Sequence, residues 1–248
     1  MEWKRQDGVK WLEAELGGAR AAFTTRQGGV SEPPFDRLNL GVLTEDATAS
    51  VRENRGRLAA ALGFEPERIP IGLQVHGAEL AFHVEPQDPS PYAEPGSDLP
   101  EVDGHVVLAP GLTPLVFVAD CLPVALAGPG GVAMLHCGWR GLAGGILARG
   151  AQAVNATAAA IGPGIGPCCY QVGPELLPAF AHLGDGIVGE DRHLDLPEVA
   201  RRLLREAGVE RIESAGLCTA CEPELFFSHR RDAGRTGRQA GLAWIEAV

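Results

Sequence analysis

The sequence has no apolar run long enough to cross a bilayer. About 18 such residues are needed, and the longest candidate, Leu112 to Ala127, carries Asp120 and two prolines. The opening residues, MEWKRQDGVKW, lack the apolar core of an export signal. The chain therefore reads as cytoplasmic, with no membrane partner. Lysine is nearly missing. Lys4 and Lys10 stand alone among 21 basic residues, so 19 are arginine. The 32 acidic residues outweigh these and leave a net charge of -11. That argues against a nucleic-acid partner, while a local arginine cluster can still hold an anion. Repeats, charged tails and low-complexity blocks are also lacking. With 45% hydrophobic residues over 248 positions, the chain can bury a large core and is not dominated by disorder. One domain spanning residues 1–248 is expected.

Several motifs are missing too. The zinc deaminase signature, H-x-E followed by P-C-x-x-C, does not occur as a unit. The run Gly162-Pro163-Gly164-Ile165-Gly166-Pro167 has no Gly-Lys-Ser/Thr after it, so it is no Walker loop.

What is present is a mixture of short strands and a few helices. Asp46 is expected to cap a helix running to about Leu62, with Gly63 closing it. Ile71–Val75, Glu79–Val84, Val102–Leu108, Pro114–Ala119, Leu122–Ala127 and Val132–His136 read as strands. Leu142–Val154 and Pro197–Ala207 read as helices, and Gly241–Val248 as a closing strand. Glu85–Glu101, rich in Pro and acids, reads as a loop inside the domain. Such an order predicts an α+β class rather than a regular doubly wound sheet. Gly128-Pro129-Gly130-Gly131 is a turn between two of the strands. A hairpin there brings Cys121 nearly opposite His136 or Cys137.

Chemistry concentrates around that hairpin. His76, Cys121 and His136 make a His2Cys zinc set if the fold delivers His76. Zinc lowers the pKa of a bound water to about 7. The competing reading is that all three are satisfied core residues. Copper takes the same set with an axial Met, and Met134 shares the strand face of His136. Seven scattered histidines are too few for several coppers. Cys218-Thr219-Ala220-Cys221 is a CxxC without a second copy, and packing is the favoured reading. Cys168 and Cys169 are expected to pack beneath the Gly-Pro turn, neither as a disulfide nor as a nucleophile.

Seven segments in order resemble the laccase-domain family, also called YfiH-like. They are TTRQGGVS (24–31), LNLG (38–41), QVHG (74–77), ADCLPV (119–124), HCGWRG (136–141), GPGIGPCCYQVG (162–173) and LFFSHRRD with TGRQAG (225–241). The resemblance implies a layered α/β/β/α sandwich with mixed sheets. It implies one zinc on His76, Cys121 and His136. The implied activity is phosphorolysis of purine nucleosides (adenosine, inosine, guanosine, methylthioadenosine), with adenosine deamination besides. Purine nucleoside and phosphate are then the partners. Older labels imply a copper-dependent polyphenol oxidase instead, and relatives have been linked to cell-wall precursor editing. Within this frame Arg26 is the expected phosphate contact, with Arg140 second. Asp120, beside Cys121, either orients a ligand and shuttles a proton or serves as an acceptor at a strand end. The chain departs from the family pattern at Gln171 and His229, where Glu and Tyr are common.

Overall fold

The computed structural model describes residues 1–94 and 99–246. The expected loop 85–101 therefore falls partly outside the described residues at 95–98, as do the last two residues of the expected closing strand. Valine, leucine and alanine alternate in short segments between Gly- and Pro-rich turns, and these segments become the strands. In chain order they are β1 (Glu2–Gln6), β2 (Val9–Glu15), β3 (Ala19–Thr24), β4 (Leu80–His83), β5 (Gly104–Val107), β6 (Leu115–Val118), β7 (Leu122–Gly128), β8 (Gly131–Cys137), β9 (Ala158–Ile161), β10 (Arg211–Ser214) and β11 (Gln239–Ile245). The helices are α1 (Thr48–Leu62), α2 (Trp139–Ala143), α3 (Ile146–Val154) and α4 (Leu196–Glu206).

Two sheets result. One runs β1-β2-β3-β11-β6 and is antiparallel throughout. The other runs β10-β9-β7-β8-β5-β4, antiparallel in its centre and parallel at both edges. Alternation on β7 and β8 sorts the core. Leu122, Val124, Leu126, Leu135 and Cys137 face α3 and α4. Ala125, Ala127, Val132 and Met134 face the first sheet, where Leu12, Phe23 and Val116 meet them. The outer face of that sheet, with Val9, Trp11 and Leu242, is covered by Leu58, Ala59 and Ala61 of α1. The layers are thus α/β/β/α, with one sheet mixed and the other antiparallel. Each buried Val, Leu, Phe or Met among these contributes about 1.5–3 kcal/mol.

Local departures have local causes. Residues 71–75 form no strand. Leu73 makes a single bridge to Glu101, and the next residues are held by side chains instead. Asp46 does not cap α1, because its Oδ2 accepts from Ser31 and Asn39, leaving Ala47 at the cap. The helix expected over 142–154 is two helices, broken at Gly144-Gly145, where Gly145 takes φ 83°. Gly63 ends α1 in the left-handed region, as expected, and Asp195 caps α4 by accepting from the Glu198 N–H.

Candidate metal centre and its cavity

The β7–β8 hairpin sets one wall of the centre. Its register pairs Leu122 with Cys137 and Pro123 with His136, so Cys121 faces Gly138 at the open end. A Cβ on Gly138 would lie 3.0 Å from Cys121 Sγ and 3.3 Å from His76 Cδ2. A side chain at position 138 would crowd Cys121 and His76, and glycine leaves them room to meet.

His76 arrives on a loop fixed by two side chains. The Gln74 amide donates to the Phe117 carbonyl at 2.7 Å and accepts from its N–H at 2.8 Å, imitating a strand partner on β6. The Asp103 carboxylate accepts from the N–H groups of Val75, His76 and Gly77, at 3.2, 2.9 and 2.6 Å. This holds His76 at φ 62°. The same carboxylate meets His136 Nδ1 at 2.7 Å. With Nδ1 so engaged, Nε2 is the His136 nitrogen left to bind a metal, the carboxylate–histidine arrangement that orients a ligand.

The ligand atoms of His76, Cys121 and His136 all lie within 4.8 Å of one another. The two imidazole rings stand edge to face, 4.8 Å apart at 71°. His136 is buried, Cys121 half-buried and His76 exposed, so the group opens to one side. Two imidazoles and a thiol are a donor set that suits zinc with a fourth position free. Burial opposes charge on Cys121, yet the facing imidazoles, His136 first, outweigh it and hold the thiol down at about 6. Burial opposes charge on His136 as well, and Cys121 and Asp103 outweigh it to lift the imidazole to about 9. Asp103 stays below the usual carboxylate range, since the His136 and Gly77 hydrogen bonds overcome its burial.

The open side faces a cavity of about 980 Å³, which is of a size for a small ligand. Its apolar wall includes Ile71, Leu73, Phe117, Ile165 and Tyr170. Arg140 borders it, exposed, with its guanidinium 4.6 Å over the Trp139 ring. Arg238 borders it half-buried, and its Nη1 donates to the carbonyls of Thr236 and Gly237. Arg55 lines it too, though only 1% exposed. Its Nε and Nη1 donate to the carbonyls of Leu40, Pro91 and Tyr92, and among the described residues its Nη2 has no partner.

The other expected site residues divide. Asp120 borders the cavity, but Thr219 Oγ1 donates to one carboxylate oxygen at 2.6 Å and the Arg230 N–H to the other at 2.7 Å. This geometry favours the strand-end acceptor over the proton shuttle. Arg26 does not line the cavity. Its guanidinium lies 2.6 Å from Asp36 Oδ1, donates to the Pro223 carbonyl and sits over the Phe227 ring. A phosphate-contact role for Arg26 therefore gives way to a packing role. Met134 packs between the sheets, its sulfur 3.0 Å from where a Cβ on Gly241 would stand. Cys168 and Cys169 do not pack beneath the Gly-Pro turn; they meet Cys218 and Cys221 near the surface. Asp103, Gln74, Gly138 and Arg55 escaped the reading of the sequence. Asp103 had one usable signal, its place in VDGHVV just ahead of a strand.

The chain belongs to the family described as multi-copper polyphenol oxidoreductase laccase, whose pattern matches residues 20–246. It is 40% identical over 249 residues to a purine nucleoside phosphorylase of Xylella fastidiosa, covering 92% of this chain and 93% of that one. It is 39% identical over 241 residues to the purine nucleoside phosphorylase YfiH of Escherichia coli, covering 92% and 94%. Among solved structures, YlmD from Geobacillus stearothermophilus superposes with a TM-score of 0.88 at 34% identity over 99% of both chains. The Bacillus licheniformis hypothetical protein YfiH does so with a TM-score of 0.87 at 31% identity, over 98% of this chain and 99% of that. Among the described residues, no helix is long and apolar enough to cross a membrane.

Proposed function

We propose that this chain is a zinc-dependent purine nucleoside phosphorylase that also deaminates adenosine. One observation carries the reading: a His2Cys set, held by Asp103 and open on one side, faces a roomy cavity bordered by arginines. Relatives bearing the phosphorylase name support it. His76, Cys121 and His136 would hold the zinc, which when bound supplies Lewis-acid polarisation.

The chain's own residues account for the rest. In phosphorolysis a phosphate oxygen bonds to the sugar C1′ as the C1′–N9 bond breaks, and the bonding pair leaves on the purine. The purine takes up the proton that the phosphate gives up, so the products are free base and the sugar 1-phosphate. Arg140, with a guanidinium exposed to the cavity, holds the phosphate, and Arg238 adds positive charge beside it. Phe117 and Tyr170 offer apolar and aromatic surface to the base. The unpaired Nη2 of Arg55 offers a donor to a purine ring nitrogen or oxygen, since a buried donor without an acceptor is costly. In deamination water replaces the amine at C6 and ammonia leaves. Without phosphate only this second reaction proceeds.

Adenosine, inosine, guanosine and methylthioadenosine should be offered with and without phosphate to the zinc-loaded protein. The expected result is base and the matching sugar 1-phosphate (methylthioribose 1-phosphate from methylthioadenosine) only with phosphate, and inosine from adenosine in either case. Failure to release base from any of the four sinks the reading. Copper-dependent oxygen uptake with a phenol, in its place, would install the oxidase.

A further inference from the structure

The second cluster of metal-competent side chains lies outside the cavity's His-Cys-His group. Two tight turns build it. The Cys169 N–H donates to the Gly166 carbonyl at 3.0 Å, and the Cys221 N–H to the Cys218 carbonyl at 3.2 Å. A bridge between Gly164 and Cys218 lays the turns side by side, with the Thr219 N–H donating to the Gly164 carbonyl at 3.0 Å. Four sulfurs then converge. Cys221 Sγ lies 3.3 Å from Cys168 Sγ and 3.5 Å from Cys169 Sγ, and all four lie within 4.8 Å of one another. In a tetrahedral zinc tetrathiolate, a Zn–S distance of about 2.3 Å puts the sulfurs about 3.8 Å apart. Two of the observed spacings lie a little below that value, and all of them stay within 4.8 Å.

We infer that Cys168, Cys169, Cys218 and Cys221 form a second, closed zinc site, separate from the open His2Cys centre. Its surroundings suit bound sulfur. The Gly166 N–H donates to Cys218 Sγ at 3.3 Å. The Arg230 guanidinium donates to the carbonyls of Cys169 and Gln171, at 3.4 and 2.9 Å, and brings positive charge to a group that would carry two net negative charges. Each thiol that coordinates gives its proton to solvent. A disulfide is the poorer fit, because Cys221 sits at similar range from two partners.

The role of such an ion is structural. Four protein sulfurs leave no open position for substrate. Thr219, inside the CxxC, donates to Asp120, the neighbour of Cys121. Arg231 in turn donates to the Thr219 carbonyl at 2.9 Å. Loading the site would therefore fix the loop that anchors one edge of the catalytic cavity.

Metal analysis of the full chain, purified with zinc and freed of loose metal by gel filtration, tests this. Two zinc ions per chain are expected in the wild type. One should remain after C218S/C221S, and one after H76A/C121S. The first double variant should also melt about 5–10 °C lower, the loss of one bound ion. If it fails to fold, cadmium-113 NMR of the wild type decides without any variant, because all-sulfur and mixed nitrogen–sulfur sites resonate apart. Two such resonances support the inference. A single zinc that C121S abolishes, one cadmium resonance, or a mass two hydrogens short with fewer than four of these thiols free would overturn it.

Discussion

Two cysteine-bearing clusters lie at opposite ends of a scale of openness. At one, a single cysteine and two histidines meet at the end of a buried hairpin, with Asp103 holding both His136 and the His76 loop. At the other, four cysteines meet on two surface turns, with the Gly166 N–H and the Arg230 guanidinium beside them. The first offers three ligands and a cavity; the second offers four and none. The same element would therefore do different work in each: chemistry where a position stays free, fastening where none does. What separates them is the number of protein ligands and the space beside them, not the presence of cysteine.

The largest effect should come from removing a ligand at the open centre. Cys121→Ser should cut phosphorolysis about a thousandfold, since several kcal/mol of transition-state stabilisation are at stake. The four-cysteine zinc should stay in place, and loss of both metals together would break the distinction. Next comes Asp103→Asn, which removes the charge that fixes His136. Zinc affinity at the open centre should fall about 10–100-fold, read by competition with a chromogenic chelator. An unchanged affinity would mean that Asp103 merely braces the loop.

The arginines sharpen the comparison on the cavity side. Arg140→Ala should raise the phosphate KM about tenfold or more, because one charge-assisted contact is worth about 1.5–3 kcal/mol. Arg26→Ala should leave that KM alone and lower stability by about 1–3 kcal/mol through its lost bonds to Asp36 and Pro223. The reverse pattern would restore Arg26 to the phosphate. The smallest effect is a control on α4, outside both clusters. The hydrogen bond from Arg201, helped by Arg202, holds the Glu198 carboxyl down at about 2 against an ordinary 4.5. Its stabilisation is full above about pH 4.5 and is lost as pH falls towards 2. Glu198→Gln should cost about 1 kcal/mol or less at pH 7. It should cost nothing near pH 2 and move neither metal.

The α+β class was legible because periodicity reports burial directly, whereas the layering came from the motif resemblance. Five of the seven expected strands fell within about two residues, the hairpin formed at its Gly-Pro turn, and Gly63 closed its helix, but β1, β2, β3, β9 and β10 were not expected. The failures arose where long-range bonds override local pattern. Ile71–Val75 alternates like a strand, yet Phe117, bonded to the Gln74 amide, and Asp103 hold its end as a loop from 43 and 26–28 residues away. Asp46 precedes a helix as a cap would, but Ser31 and Asn39 claim it. Cys121 and His136 could be paired from one turn, whereas His76 needed the motif resemblance. The four cysteines were hardest: two adjacent residues and a CxxC 49 positions on give no periodic signal, and only the parallel meeting of their loops joins them.

The central claim is that the open centre, once metallated, releases purine base at the expense of phosphate. Zinc titration into chelator-treated protein, with phosphate-dependent release of base from inosine as the readout, tests it most directly. The account predicts activity that rises with zinc to a plateau in the wild type and stays at background in Cys121→Ser. Release of base that survives chelation, or that persists at wild-type rate in Cys121→Ser, would contradict it.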